Sequence, residues 1–233
     1  MALPFFYTTD IQNETIALNQ ETSKHITQVL RMKINDEILL TNGKGIKAKA
    51  VIVNDNKREC IVKIQSSETV IQPLPRVAIG ISLIKNSSRF EWFLEKAAEM
   101  GVSEIIPLLC TRTEKQKFRS DRMKNILQSG MLQSQQCWLP VLHEPVHFDL
   151  LVQQHHFENK FIAHCNEGEK TSLGEIVWQK KDNSIVLIGP EGDFTPHEIE
   201  AAVDRQFRPV SLGNTRLRTE TAGIAAAVLM CCK

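Results

Sequence analysis

At 233 residues, 42 % of them hydrophobic and 24 % charged, the chain is long enough for one large domain or two small ones and has the composition of an ordinary soluble protein. Its formal net charge is +1, no apolar run approaches the roughly 20 residues of a membrane span, and MALPFFYTTD lacks a basic region ahead of its apolar stretch. A membrane protein and a signal peptide are therefore not expected, and the cytoplasm is the default compartment. Cys60, Cys110, Cys137, Cys165, Cys231 and Cys232 form no CxxC pair, so they read as reduced, mostly buried thiols. His143 and His147 have a helical ligand spacing, but Pro145 between them argues against a helix, so no metal site is expected.

The small net charge hides two basic stretches. Residues 24–63 carry nine Lys or Arg against four Asp or Glu, a local +5; residues 111–125 carry six against two, a local +4. Solvated faces would account for either alone. Together they suit a polyanion, which makes Arg31 and Lys33 in the first stretch, and Arg112, Lys115, Lys117 and Arg119 in the second, candidate nucleic-acid contacts.

Taken in chain order, residues 1–72 read as β-rich, a first domain. Alternation and β-branched residues predict strands over 37–41, 47–53 and 60–65, separated by the turn-forming Asn42-Gly43-Lys44-Gly45 and Asn54-Asp55-Asn56. A short helix is expected over 23–31. Gln72-Pro73-Leu74-Pro75 breaks the pattern and reads as a linker, so the second domain spans 73–233. There strands and helices alternate. Strands are expected over 76–84, 105–110, 160–165, 184–189 and 209–212. A helix opens at a capping box of Ser88 and Glu91, runs through Phe90, Phe93, Leu94, Ala97 and Met100, and stops at Gly101. Further helices are predicted over 121–136, after the capping box Thr195-Pro196-His197-Glu198, and over 220–232. Such alternation implies an α/β domain with a largely parallel sheet, whose ligands sit beyond the carboxyl ends of its strands.

Two glycine-bearing loops fall at those ends. The first, after the apolar run Ser184–Ile188, is Gly189-Pro190-Glu191-Gly192; the second contains Leu212-Gly213-Asn214-Thr215-Arg216-Leu217-Arg218-Thr219. Gly189 and Gly192 permit close backbone approach, and the helix after the second loop offers free N–H groups. Neither loop matches GxxxxGK[ST] or GxGxxG. The pair suggests one pocket built mainly from backbone groups, holding a small polar cofactor without metal or covalent link.

These residues carry a family resemblance. GPEG with LG…LRTETA is similar to the signature of the RsmE family, the uridine-N3 methyltransferases of 16S ribosomal RNA in the SPOUT superfamily. His25-Ile26-Thr27-Gln28-Val29-Leu30-Arg31-Met32, Lys85, and Glu95 through Pro107 resemble further elements of that family. Gln133-Ser134 with Leu139-Pro140 resembles a weakened third element, in which Leu132 and Gln136 replace a glutamate and an arginine. The resemblance implies a PUA-like β-barrel that helps bind RNA, and a trefoil-knotted α/β domain that dimerises and binds S-adenosylmethionine. It places the cofactor against Ile188, Gly189, Pro190, Glu191, Gly192, Leu212, Gly213, Arg216, Leu217 and Thr219, and adds Lys85 to the RNA contacts. The implied partners are 16S ribosomal RNA or the small ribosomal subunit and a second copy of the chain.

Arg218 and Glu220 are the catalytic candidates. A guanidinium does not deprotonate, so Arg218 can hold a phosphate or a uracil oxygen and favour the anionic base. Glu220 can accept the proton or order Arg218, and a structural salt bridge is the alternative for each. The rival functions are a related knotted methyltransferase acting on another nucleotide or a ribose hydroxyl, and an RNA-binding assembly factor without catalysis. The final helix, with Ala222, Ala225, Ala226, Val228, Leu229 and Met230, is apolar nearly all round, as a helix at a core or an interface is.

Overall fold

A computed structural model describes residues 3–114, 117–153, 157–176 and 182–232. The chain forms two compact units: residues 1–72 with 131–139, and residues 73–130 with 140–233.

The first unit holds β1 (Phe5–Tyr7), β2 (Thr15–Ala17), α1 (Gln20–Lys24), β3 (Glu37–Thr41), β4 (Ile46–Asn54) and β5 (Ile61–Thr69). The strands form one sheet in the order β1-β3-β4-β5-β2, antiparallel except for the β1–β3 pair. Alternate residues of β3 to β5 point inward, and Ile38, Leu40, Ala50, Ile52 and Val62 pack with Ile26 in a core they share. The expected helix over 23–31 is two pieces. Asn19 caps α1 by accepting from the Thr22 N–H at 2.9 Å, and a π-helical turn over His25–Val29 follows. Arg31 then takes a left-handed conformation, φ 55°, which ends the helical run. Ser23 fastens this helix from inside: its buried hydroxyl accepts from the Cys60 N–H at 2.8 Å and donates to the Leu18 carbonyl. Residues 131–139 join the same unit through Trp138, whose indole N–H donates to the Val70 carbonyl at 3.0 Å.

The second unit holds β6 (Val77–Ser82), α2 (Ser87–Glu99), β7 (Glu104–Leu109), most of α3 (Ser120–Gln133), β8 (Val141–Leu142), β9 (Val146–His147), α4 (Phe148–Val152), β10 (Asn159–Ala163), β11 (Thr171–Ser172), β12 (Ser184–Ile188), α5 (Pro196–Asp204), β13 (Arg208–Ser211) and α6 (Thr219–Cys231). The sheet order is β11-β13-β10-β12-β6-β7-β8, with β9 also on β7, and every pair is parallel. Every residue of β6 and β12 is buried, which is why these central strands read as unbroken apolar runs rather than alternating ones. From β13, beyond β10, the chain returns so that α6 packs on β6, β12 and α2.

The predicted capping box of α2 needs correction. The cap of α2 is Asn86, whose side-chain oxygen accepts from the Ser88 N–H; Ser88 does not cap it. Glu91 does not turn back to the helix start because Arg122 takes its carboxylate in a two-point ion pair at 2.6 and 2.8 Å. The capping box at Thr195 and Glu198 forms as expected, with Pro196 in the first turn.

The packing of α6 on α2 is set by one glycine. A Cβ on Gly223 would lie 2.6 Å from the Phe93 ring and 2.9 Å from Ile81, both fully buried. Gly223→Ala gains helix propensity of about 1 kcal/mol but must displace an immovable ring, at a cost of about 1–3 kcal/mol. The expected outcome is a net loss of stability, read as a lower midpoint in denaturant unfolding; an unchanged or raised midpoint would show that the helices have room.

Candidate active site

Two loops meet at the carboxyl ends of β10, β12 and β13. The first follows β12. Gly189 is required there by space: a Cβ would stand 3.1 Å from the Phe194 backbone nitrogen and ring. Asp193, at φ 62°, shapes the turn by accepting from the Phe194 N–H through one carboxylate oxygen and from the Cys165 N–H through the other, each at 2.8 Å. Asp193 thereby joins this loop to the segment after β10. The second loop opens at Gly213, whose φ of 144° disfavours any side chain, although the space around it is open. The two loops are fastened to each other by the buried Thr219 hydroxyl, which donates to the Gly189 carbonyl at 3.0 Å.

Between them lies a cavity of about 250 Å³. Ile188, Gly189, Leu212, Gly213, Arg216, Leu217 and Thr219 line it, together with Ala163, His164 and Lys170, which the sequence reading had not singled out. Its wall also holds His164, whose two ring nitrogens are buried; they make no full hydrogen bond among the described residues, and the Asn166 backbone lies near enough only for a weak contact. Burial first, and the nearby Lys170 ammonium next, push its pKa below 6.5 against the pull of Asp193 and of the Asn166 backbone, so the ring is neutral near pH 7, one nitrogen a donor and the other an acceptor. A neutral imidazole, the open backbone at Gly213 and the opening turn of α6 give the cavity a mixed polar and apolar wall that fits a small polar ligand. Among the described residues no group of three or more His, Cys, Asp or Glu could hold a metal ion.

A second cavity of about 580 Å³ adjoins the first, and Cys165, Asp193, Arg216 and Leu217 line both. Glu191 and Gly192 line this one rather than the first. Pro190 is buried and lines neither. A Cβ on Gly192 would meet only the flexible Arg112 side chain, at 3.2 Å, and no positive φ is imposed, so the steric reason expected for a glycine there does not hold.

The remaining candidates are dispersed. Arg218 caps α6 through its backbone; its side chain is exposed, lines neither cavity and makes no hydrogen bond or ion pair among the described residues. Glu220 does not order Arg218. It is buried in the first turn of α6 and faces Arg89, whose guanidinium spans Glu220 at 3.7 Å and Glu191 at 3.5 Å. Its second oxygen is buried without a partner. Arg112 donates to the Gly192 carbonyl, Lys85 pairs with Glu114 at 2.9 Å, and Lys117 and Arg119 are exposed. In the first unit Arg31 is exposed and Lys33 lies 3.7 Å from Asp55. Lys115 lies outside the described residues. Arg89 and Asp193 are not legible as partners in the sequence because each acts across 28 residues or more, although Asp193 lies inside the GPEGDF run; His164 carries no motif signal at all.

A parallel sheet with paired glycine loops at the carboxyl ends of its strands defines a class, the cofactor-binding α/β domains whose pocket is made of chain turns. The comparisons specify it further. A family model described as an RNA methyltransferase domain matches residues 72–231, and one described as an RNA methyltransferase PUA domain matches residues 18–65. Ribosomal RNA small subunit methyltransferase E of Mesomycoplasma hyopneumoniae is 30 % identical over 94 % of this chain and 95 % of its own length; that of Bacillus subtilis is 28 % identical over 91 % and 88 %. The crystal structure of a probable rRNA-methyltransferase from Porphyromonas gingivalis superposes with a TM-score of 0.91 at 34 % identity, covering 99 % of both chains. That of ribosomal RNA small subunit methyltransferase E from Neisseria gonorrhoeae, bound to S-adenosylmethionine, gives 0.86 at 28 % identity over 98 % and 97 %. The chain belongs to the RNA methyltransferase family of the small-subunit methyltransferase E type.

Glu198 ties α5 to the end of β7 beside this site. Burial would raise its pKa, but the N–H groups of Thr111 and Thr195 and the Thr195 hydroxyl outweigh it and hold the carboxyl below the ordinary 4.5. A carboxylate with a depressed native pKa stabilises the fold above the unfolded value and loses that contribution as pH falls through the native one. Glu198→Gln should therefore be less stable at pH 7 and lose less stability than the wild type on acidification below 4.5. Parallel denaturation curves of the two proteins across that range would contradict the assignment.

Proposed function

We propose that this chain transfers a methyl group from S-adenosylmethionine to N3 of a uridine in 16S ribosomal RNA. The observation that carries the reading is the cavity between the two tied glycine loops, in a chain of this family. The bound S-adenosylmethionine of the Neisseria gonorrhoeae relative supports the cofactor, and the names of the curated relatives support the RNA. S-adenosylmethionine supplies an electrophilic methyl group on a positively charged sulfur.

What the chain itself contributes is position and electrostatics. Ile188, Gly189, Leu212, Gly213, Leu217 and Thr219 would hold the cofactor through backbone groups and apolar contact, with Arg216 at the border of the second cavity and Pro190, Glu191 and Gly192 shaping the loop. The reacting nitrogen lies on the pairing edge of uracil, so the base must be unpaired to reach the site. Loss of its proton leaves an anion, which a guanidinium from the second loop stabilises; the unengaged Arg218 side chain is free to swing to that task when RNA is bound. Glu220, held by Arg89, keeps the first turn of α6 and the first loop in register. The basic residues Arg31, Lys33, Lys85, Arg112, Lys117 and Arg119 meet the RNA. Among the described residues no helix is long and apolar enough to cross a membrane, and the reading places the protein in the cytoplasm with ribosomal RNA. Val228, 40 % exposed on the apolar stretch of α6 that follows Thr221, with the half-buried Ile224, Ala225 and Leu229, supports a homodimer through that helix.

Calorimetry tests the pocket. The wild-type protein should bind S-adenosylhomocysteine with the same affinity with and without a chelator. Gly213→Val should abolish binding, because a β-branched residue resists a φ of 144°. Arg218→Ala should keep that affinity within several-fold while single-turnover methylation falls by about 100- to 1000-fold, as for one charge-assisted contact to a developing anion. Undiminished affinity in Gly213→Val would displace the cofactor from this cavity; near-normal turnover in Arg218→Ala would remove that residue from catalysis.

A further inference from the structure

The second cavity has no role in holding the loops together, yet it shares Cys165, Asp193, Arg216 and Leu217 with the cofactor cavity. What it offers a ligand follows from which of its polar groups are already engaged. Asp193 spends both carboxylate oxygens on backbone N–H groups. Glu191 faces Arg89. Arg112 commits one N–H to the Gly192 carbonyl and keeps its other donors. Asn166 uses its backbone carbonyl to hold Lys170 at 2.7 Å, while its side-chain amide makes no hydrogen bond among the described residues. Arg216 likewise has no partner among them. The free groups are thus guanidinium donors on one part of the wall and an amide, donor and acceptor together, on another.

We propose that this second cavity receives the target pyrimidine ring, with Arg112 and the Asn166 side chain as its recognition groups; the proposal rests on the methyltransferase reading of the adjoining cavity. Uracil presents two carbonyl acceptors flanking N3, which match guanidinium and amide donors. A phosphodiester fits poorly: Glu167, Glu191 and Asp193 line the cavity against Arg112 and Arg216, so entry of a neutral heterocycle is favoured over that of an anion. The wall shared between the cavities puts the base and the cofactor side by side, as direct transfer between them demands. Arg112 also opens the basic stretch that continues to Lys117 and Arg119, so an RNA strand tracked by those charges arrives at this opening.

The test separates base from cofactor. Asn166→Leu keeps the backbone carbonyl that holds Lys170 and removes only the amide; Arg112→Lys keeps one donor to the Gly192 carbonyl and removes the fork. Each variant is compared with wild type in affinity for S-adenosylhomocysteine by calorimetry, in thermal melting, and in methylation of small ribosomal subunits isolated from cells lacking this modification. Both variants should keep cofactor affinity within about twofold and melting unchanged, while kcat/KM for the subunits falls by about tenfold or more, the effect of losing a polar contact. Wild type that binds no S-adenosylhomocysteine overturns the cofactor reading, and this inference with it. If wild type binds it but the variants lose cofactor affinity in step with activity, the second cavity holds the amino-acid tail of the cofactor, and only this inference falls. Unchanged kinetics in both variants also overturn it.

Discussion

The buried hydrogen bond from the Thr219 hydroxyl to the Gly189 carbonyl is the constraint on which the site depends. It joins two loops 30 residues apart beyond the carboxyl ends of the strands, where the sheet's own hydrogen bonds do not reach and the longer Arg89 ion pairs to Glu191 and Glu220 are the second link. Net of solvent exchange such a bond contributes about 1 kcal/mol, but losing the hydroxyl would strand a buried carbonyl at a cost of about 1–3 kcal/mol. Its effect on geometry is larger than its effect on stability. It brings the first turn of α6, with its unpaired N–H groups, against the strand end that carries Gly189. The cavity exists because these two segments are fastened and the return of α6 over β6 and β12 closes one side of it.

The charges around the site are arranged to order loops more than to act on a substrate. Glu198 is satisfied from the end of β7 and the start of α5. Asp193 joins the first glycine loop to the segment after β10, and Lys170 draws that segment closed through the His164 and Asn166 carbonyls. Arg89 spans Glu191 and Glu220, and at 3.5 and 3.7 Å, with the arginine partly exposed, each pair contributes about 1 kcal/mol or less. These groups leave Arg216, Arg218 and the Asn166 amide unengaged among the described residues, which is the set a ligand would find available. Reduced thiols play no visible part: burial pushes Cys110 and Cys231 up to about 12 and Cys60 up to about 11, so all three stay protonated and inert.

Much of this could be read in the sequence, for definable reasons. The buried strands β6 and β12 are continuous apolar runs, and Thr195-Pro196-His197-Glu198 spells a helix start whose bonds form as read. The two glycine loops stood out because their composition breaks abruptly after an apolar strand. What escaped has a common cause: contacts between residues far apart in the chain leave no periodicity. The three-residue strands β1 and β2 and the two-residue strands β8, β9 and β11 are too short to alternate, and they exist only because a neighbouring strand is there to pair with. Local motif reading chose Ser88 as a cap over Asn86, since it could not foresee that Arg122 would take the carboxylate of Glu91. Proximity in sequence leaves Glu220 either to accept the proton or to order Arg218, whereas the helix turns the glutamate inward to Arg89 and leaves the arginine outside. Residues 131–139 packed with the first unit for the same reason: Trp138 meets Val70 across 68 positions.

The central claim is a reaction, and the product reports on it most directly. Small ribosomal subunits lacking the modification, incubated with the purified protein and S-adenosylmethionine carrying a labelled methyl group, would be digested to nucleosides and analysed by mass spectrometry, with the labelled RNA fragment then sequenced. The account predicts labelled 3-methyluridine at a single position of 16S ribosomal RNA. Label in a ribose hydroxyl or in another base, or no transfer by a protein that binds the cofactor, would contradict it.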